Sequence, residues 1–123
     1  MQGRIFGLAA TFLMLAIAPA WAQAVCREPI VPPAIDGNTA TAPQMKVQLQ
    51  DVKTFLTASD DYQDCLIKSL DAAAAAAQKA NTDIDPRLEA ALETKLQSNQ
   101  LLKERVGALF NAAVAAYKAR NPG

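Results

Sequence analysis

The sequence predicts an all-α protein: a long antiparallel two-helix hairpin with an extended Pro-rich N-terminal arm clamped by one disulfide. Three observations carry this. Gln44 to Ala80 and Pro86 to Arg120 repeat apolar residues at helical spacing, and only a short polar break, Asn81 to Asp85, parts them. Pro29, Pro32 and Pro33 crowd the segment before the first helix. The only two cysteines, Cys26 and Cys65, fall one in that segment and one inside the first helix.

Residues 1–22 read as a secretory signal peptide. Arg4 is a short basic region, Ile5 to Ala18 is apolar, Pro19 breaks the run, and Ala20-Trp21-Ala22 gives the small-x-small cleavage pattern. Cleavage is expected after Ala22, with Ala24 as the alternative. The apolar run falls short of the roughly 20 residues that a spanning helix needs, so no membrane span is expected in the mature chain. Export and an even pair of cysteines agree, because an oxidising compartment allows Cys26 and Cys65 one disulfide and no other pairing. A periplasmic or secreted location follows as the expectation.

Removal of Arg4 with the leader leaves eleven basic residues against 12 acidic ones. Such a balance offers no positive surplus for phosphates, so no nucleic-acid partner is expected. The chain contains no histidine, which removes the commonest general base and the commonest metal ligand.

Residues 23–42 form the arm. Its prolines fix φ and remove donors, so it should be extended and polyproline II-like. Asp36-Gly37 signals a turn. Ile30, Val31 and Ile35 are too apolar for a solvated linker and are expected to dock in the hairpin groove. An arm of 15 residues from Cys26 to Thr41 spans roughly 46 Å in polyproline II geometry. Cys65 lies about 36 Å along the first helix from Thr41, so the arm is long enough to fold back and reach it.

Residues 43–120 form the hairpin. Thr41 and Gln44 make a T-x-x-Q capping box, with Pro43 in the first turn. Met45, Leu49, Val52, Phe55, Leu56, Tyr62, Leu66, Leu70, Ala73 and Ala77 mark the first stripe, and Ala72 to Ala77 are strong helix formers that let a neighbouring backbone approach closely. Asp85 caps the second helix with Pro86 at its first position. Its stripe reads Leu88, Leu92, Leu96, Leu102, Val106, Leu109, Phe110, Ala113, Ala116 and Tyr117, and Asn121-Pro122-Gly123 stops it. With the turn centred near Thr82, Ala73 should face Leu92, Leu70 Leu96, Phe55 Phe110, Val52 Ala113 and Leu49 Tyr117. Leu66 would then face Asn99 and Gln63 would face Leu102, a polar interruption able to fix register at a cost in stability.

Candidate chemistry is sparse. Asp60 and Asp64 share a helix face and are weak candidates for a cation site, but calcium needs a wrapping loop of six to eight oxygens. Lys68 offers Asp64 an ordinary i, i+4 pair. Cys65 lacks the cationic neighbours that activate a thiolate, and Asp61 and Asp64 would raise its pKa, so a structural disulfide is the expectation. Tyr62 and Asn99 are candidates for a ligand groove between arm and hairpin. No phosphate loop, nucleophile elbow, catalytic residue set or cofactor motif occurs.

The pattern Cys26-x-x-Pro29-x-x-Pro32, then Tyr62-x-x-Cys65-Leu66, then Asn111-Ala112-Ala113-Val114 before Tyr117, resembles a group of small secreted helical proteins of Gram-negative bacteria. That group has no assigned activity. The resemblance implies export and a two-helix body and supplies no catalytic residue. The functional expectation is an exported, non-enzymatic structural or protein-interaction hairpin, with a protein partner or a second copy of itself. The alternative is a periplasmic small-ligand or divalent-cation binding protein.

Overall fold

The computed structural model describes residues 25–123; the stretch expected to be a signal peptide, residues 1–22, lies outside the described residues. The described chain is all-helical, built from α1 (Ala42–Lys79) and α2 (Pro86–Arg120), with no strand among the described residues. At 38 and 35 residues the helices are about 57 Å and 52 Å long.

Local chemistry sets each helix end. The Thr41 hydroxyl accepts the Gln44 N–H at 3.4 Å, and the Gln44 side chain accepts the Thr41 N–H at 2.8 Å, a complete capping box. At the far end Asn81 takes φ 52°, a left-handed conformation that Asn tolerates better than most residues. The Thr82 N–H then bonds the Ala77 carbonyl at 3.0 Å and the Asn81 N–H bonds that of Gln78 at 3.1 Å, which closes a Schellman motif. Asp85 caps α2 by accepting the Arg87 N–H at 2.9 Å, with Pro86 in the first turn.

Burial along α1 follows Met45, Gln48, Val52, Phe55, Ser59, Tyr62 and Leu66, in alternating steps of three and four residues. On α2 it follows Asn99, Val106 and Ala113, seven residues apart. Met45 and Ala113 share one core cluster with Ala40, Val52 and Val106 share a second with Phe55, and the Asn99 amide donates to Ser59 Oγ at 3.5 Å. Phe110 packs against both clusters, which agrees with its expected place near Phe55.

The register elsewhere departs from the expectation. Ala113 lies with Met45, one heptad before Val52. Asn99 donates to Ser59, and Gln63 donates to Gln100 at 3.3 Å. The tip itself lies where expected, with α1 ending at Lys79 and α2 starting at Pro86, so the departure arises in how the seam residues interdigitate and not in the turn. Leu49 is correspondingly 39% exposed, and Gln48 takes the seam position beside it.

The arm runs back along the hairpin as expected, although its buried face is different. Cys26 and Cys65 stand at disulfide distance, with S–S 2.04 Å and Cα–Cα 5.7 Å. Ile30 is 90% exposed and Val31 45% exposed, so neither fills the groove; only Ile35 packs on the core cluster of Met45 and Ala113. The half-buried positions are Cys26, Pro29, Pro32 and Ile35, every third residue. Polyproline II has three residues per turn, which puts these four on one face and turns Ile30 and Val31 outward. Between the Cys26–Cys65 bond and a Gln48–Pro33 hydrogen bond, α1 rises about 26 Å. Seven polyproline residues advance about 22 Å, so the arm is close to fully stretched. The spare arm length is taken up by the turn at Asp36–Ala40, where Ala40 N–H bonds the Asp36 carbonyl at 2.9 Å.

These contacts divide the hairpin in two. The proximal half, from the chain ends to Leu66 and Asn99, is covered by the arm and holds every buried helical residue. From Ile67 to Ser98 no residue is buried, and Leu70, Ala73, Leu88, Leu92 and Leu96 are only half-covered.

Candidate functional site

The arm is held at both ends and in the middle. At its distal end Cys26 joins Cys65, and the Cys26 sulfur lies 3.7 Å from Ser69 Oγ. The Tyr62 hydroxyl donates to Glu28 Oε1 at 3.4 Å, while the ring is buried in the seam. Burial first, and the Glu28 carboxylate second, push the Tyr62 phenol above its ordinary value of 10.0. In the middle the buried Gln48 side chain donates to the Pro33 carbonyl at 2.8 Å, which explains a polar residue at a seam position.

The proximal end is the tightest. Gly37 lies so close to α2 that a Cβ there would stand 1.9 Å from the Ala113 carbonyl oxygen. Only a residue without a side chain permits this approach. Arg120 donates to the Ala40 carbonyl and, at 3.5 Å, to the Gly37 carbonyl, with its guanidinium 5.7 Å from the centre of the Tyr117 ring. Asp36 completes the turn by accepting the Asn38 N–H at 2.9 Å. That backbone bond chiefly, helped by the Asn38 and Thr39 side chains and Arg120, holds its carboxyl below 3.8.

The residues singled out in the sequence have distinct fates. Cys26 and Cys65 come together as the clamp. Tyr62 and Asn99 are each 4% exposed and face the interior. The Asn99 Oδ1 is buried without a hydrogen-bond partner. Asp60 forms an ion pair with Lys103, and Asp64 is exposed. No group of three or more His, Cys, Asp or Glu able to hold a metal occurs among the described residues. No helix among the described residues is long and apolar enough to cross a membrane.

The open groove lies elsewhere, between the arm and α2, with a volume of about 280 Å³. Val31, Pro32 and Ile35 form one wall, and Leu102, Leu109 and Phe110 the other. Arg105 and Gln48 are its polar members. Sequence reading missed Arg105 because a lone cation on an exposed helix face carries no signal until the arm is laid beside it. Comparison with protein-family models, curated proteins and solved structures finds no match for this chain.

Proposed function

We propose that this is an exported, non-enzymatic interaction protein, working in the periplasm or outside the cell. Its arm-covered proximal half is a rigid stem and its bare distal half packs against further helices. The observation that carries the reading is the absence of any buried residue between Ile67 and Ser98, in a stretch whose leucines and alanines continue the apolar stripes. Two helices of this length, with no third helix or strand among the described residues, cannot bury a core of ordinary thickness. The alternating three-and-four spacing in α1 is that of a coiled-coil seam, which associates readily with further helices. The occupant that completes it most simply is the distal half of a second copy, giving a local four-helix bundle. The joined cysteine pair and the leader-like N-terminus support export.

Ala72 and Ala76 test this directly. They extend, one heptad on, the edge of α1 that carries Cys65 and Ser69, and both are exposed. Arg is a good helix former, so Ala72→Arg with Ala76→Arg preserves the hairpin while placing charge on the docking face. Sedimentation equilibrium of the disulfide-bonded protein is expected to show a dimer that this double variant dissociates, with helical circular dichroism unchanged. A wild-type protein that stays monomeric at millimolar concentration would rule the dimer out.

A further inference from the structure

We propose that the groove between the arm and α2 is a binding site for a medium-chain carboxylate amphiphile, with the alkyl chain along the groove and the carboxylate on Arg105. The site is preformed: its arm wall is fixed by the Cys26–Cys65 bond and by the Gln48–Pro33 hydrogen bond, and its α2 wall belongs to a continuous helix. Preorganisation of this kind lowers the entropic cost of binding.

The lining defines the chemistry of the occupant. Leu102, Arg105, Val106 and Leu109 stand at i, i+3, i+4 and i+7, so the exposed Arg105 shares one helix face with three apolar residues of the groove. Val31 and Leu109, 45% and 47% exposed, present large apolar groups to water from opposite walls. Arg105 is the one charged residue of the lining, and it makes no hydrogen bond or ion pair with any described residue. No acidic side chain lines the groove, so a cationic head would meet only repulsion. The arm wall passes through Pro32 and Pro33, which have no N–H, and the Gln48 amide is committed to the Pro33 carbonyl. A peptide strand seeking main-chain donors would find few here, whereas an alkyl chain asks for none. At about 280 Å³ the groove lies at the lower end of small-ligand pockets, which run from roughly 300 to 1,000 Å³, and suits one unbranched alkyl chain.

Sodium decanoate is the probe. Titrated at millimolar concentration, below micelle formation, into the disulfide-bonded protein, it is expected to shift the methyl resonances of Val31, Ile35 and Leu109. Arg105→Gln, an exposed substitution that leaves the fold intact, should weaken decanoate about tenfold, the loss of one charge-assisted hydrogen bond, and leave decanol unchanged. Equal binding of decanoate and decanol by the wild type, or equal decanoate affinity in the variant, would overturn the assignment to Arg105. No shift of the three methyl groups would overturn the site. Sedimentation with phosphatidylglycerol vesicles, with no response to monomeric decanoate, would show a membrane surface as the true occupant and refute the proposal.

Discussion

Replacing Cys26 and Cys65 by alanine should cost this protein a large part of its stability, and the size follows from where they sit. The bond links residues 39 apart in sequence. In the chain-entropy account, closing a loop of that length removes about 4 kcal/mol of unfolded-state freedom. Small domains have net stabilities of only about 5–15 kcal/mol, so the effect should dominate any unfolding curve. At a urea dependence of about 1.5 kcal/mol per M, the midpoint should fall by roughly 2–3 M. The melting temperature should fall by roughly 15–30 °C, at about 4–8 °C per kcal/mol for a domain of this size. Circular dichroism of oxidised wild type and of Cys26→Ala with Cys65→Ala, each in urea, measures it. Reduction of the wild type under the same conditions separates loss of the bond from loss of the side chains, since both should give the same shift. A change below about 1 kcal/mol would refute the reasoning. It would mean that the unlinked arm also comes free in the folded state, or that the unfolded chain stays compact without the bond, so that breaking it releases little additional freedom.

Three further outcomes follow from the same contacts. Gly37→Ala sets a methyl group against the Ala113 carbonyl and should cost about 2–3 kcal/mol by urea unfolding, whereas a neutral result would show that the arm shifts without loss. Asn99→Leu removes a buried unpartnered oxygen and should raise stability by about 1–2 kcal/mol; Ser59 Oγ can turn to a backbone carbonyl, so a lower urea midpoint would contradict this account. Asp36 has its folded pKa depressed, so its contribution is present above 3.8 and is lost as pH falls through the folded value; Asp36→Asn should flatten the acid limb of a stability–pH curve, and an unchanged limb would remove Asp36 from the account.

How much of this was legible in the sequence depends on the range of the interaction concerned. The capping box at Thr41–Gln44, the Asp85-Pro86 start and the cysteine pair are local or countable, and all of them hold. The register was legible only in part, because stripes of apolar residues do not say how neighbouring side chains interdigitate. Phe110 packs beside Phe55 as the stripes suggest, whereas Ala113 joins Met45 and Asn99 meets Ser59, pairings that side-chain interdigitation decides. The arm was half legible. Its length and direction follow from residue counts, but hydrophobicity pointed to Ile30, Val31 and Ile35, of which the backbone period selects only Ile35, together with Pro29 and Pro32. Gln48 and Arg105 were invisible for a related reason: each acquires its role only from an arm more than ten residues away in sequence.

The same period explains why the protein has two halves. From the turn at Asp36 the arm advances about 3.1 Å per residue, so the ten residues from Ile35 back to Cys26 cover about 31 Å of a hairpin more than 50 Å long. Cys65 stands where that reach ends. Moved two turns toward the tip, the cysteine would demand an arm that a stretched chain could not supply; moved two turns back, it would leave slack and a looser stem. The clamp therefore fixes the boundary between covered and uncovered seam. The acidic cluster around Cys65, Asp60 to Asp64, lies on the outer face of that boundary, with Asp60 tied to Lys103 across the helix pair. Beyond it the hairpin has leucines and alanines in its apolar stripes and, among the described residues, no third element to cover them. An apolar stripe that continues past the reach of its own arm stays half-covered by the facing helix alone, and that is the ground on which a partner is proposed for the distal half.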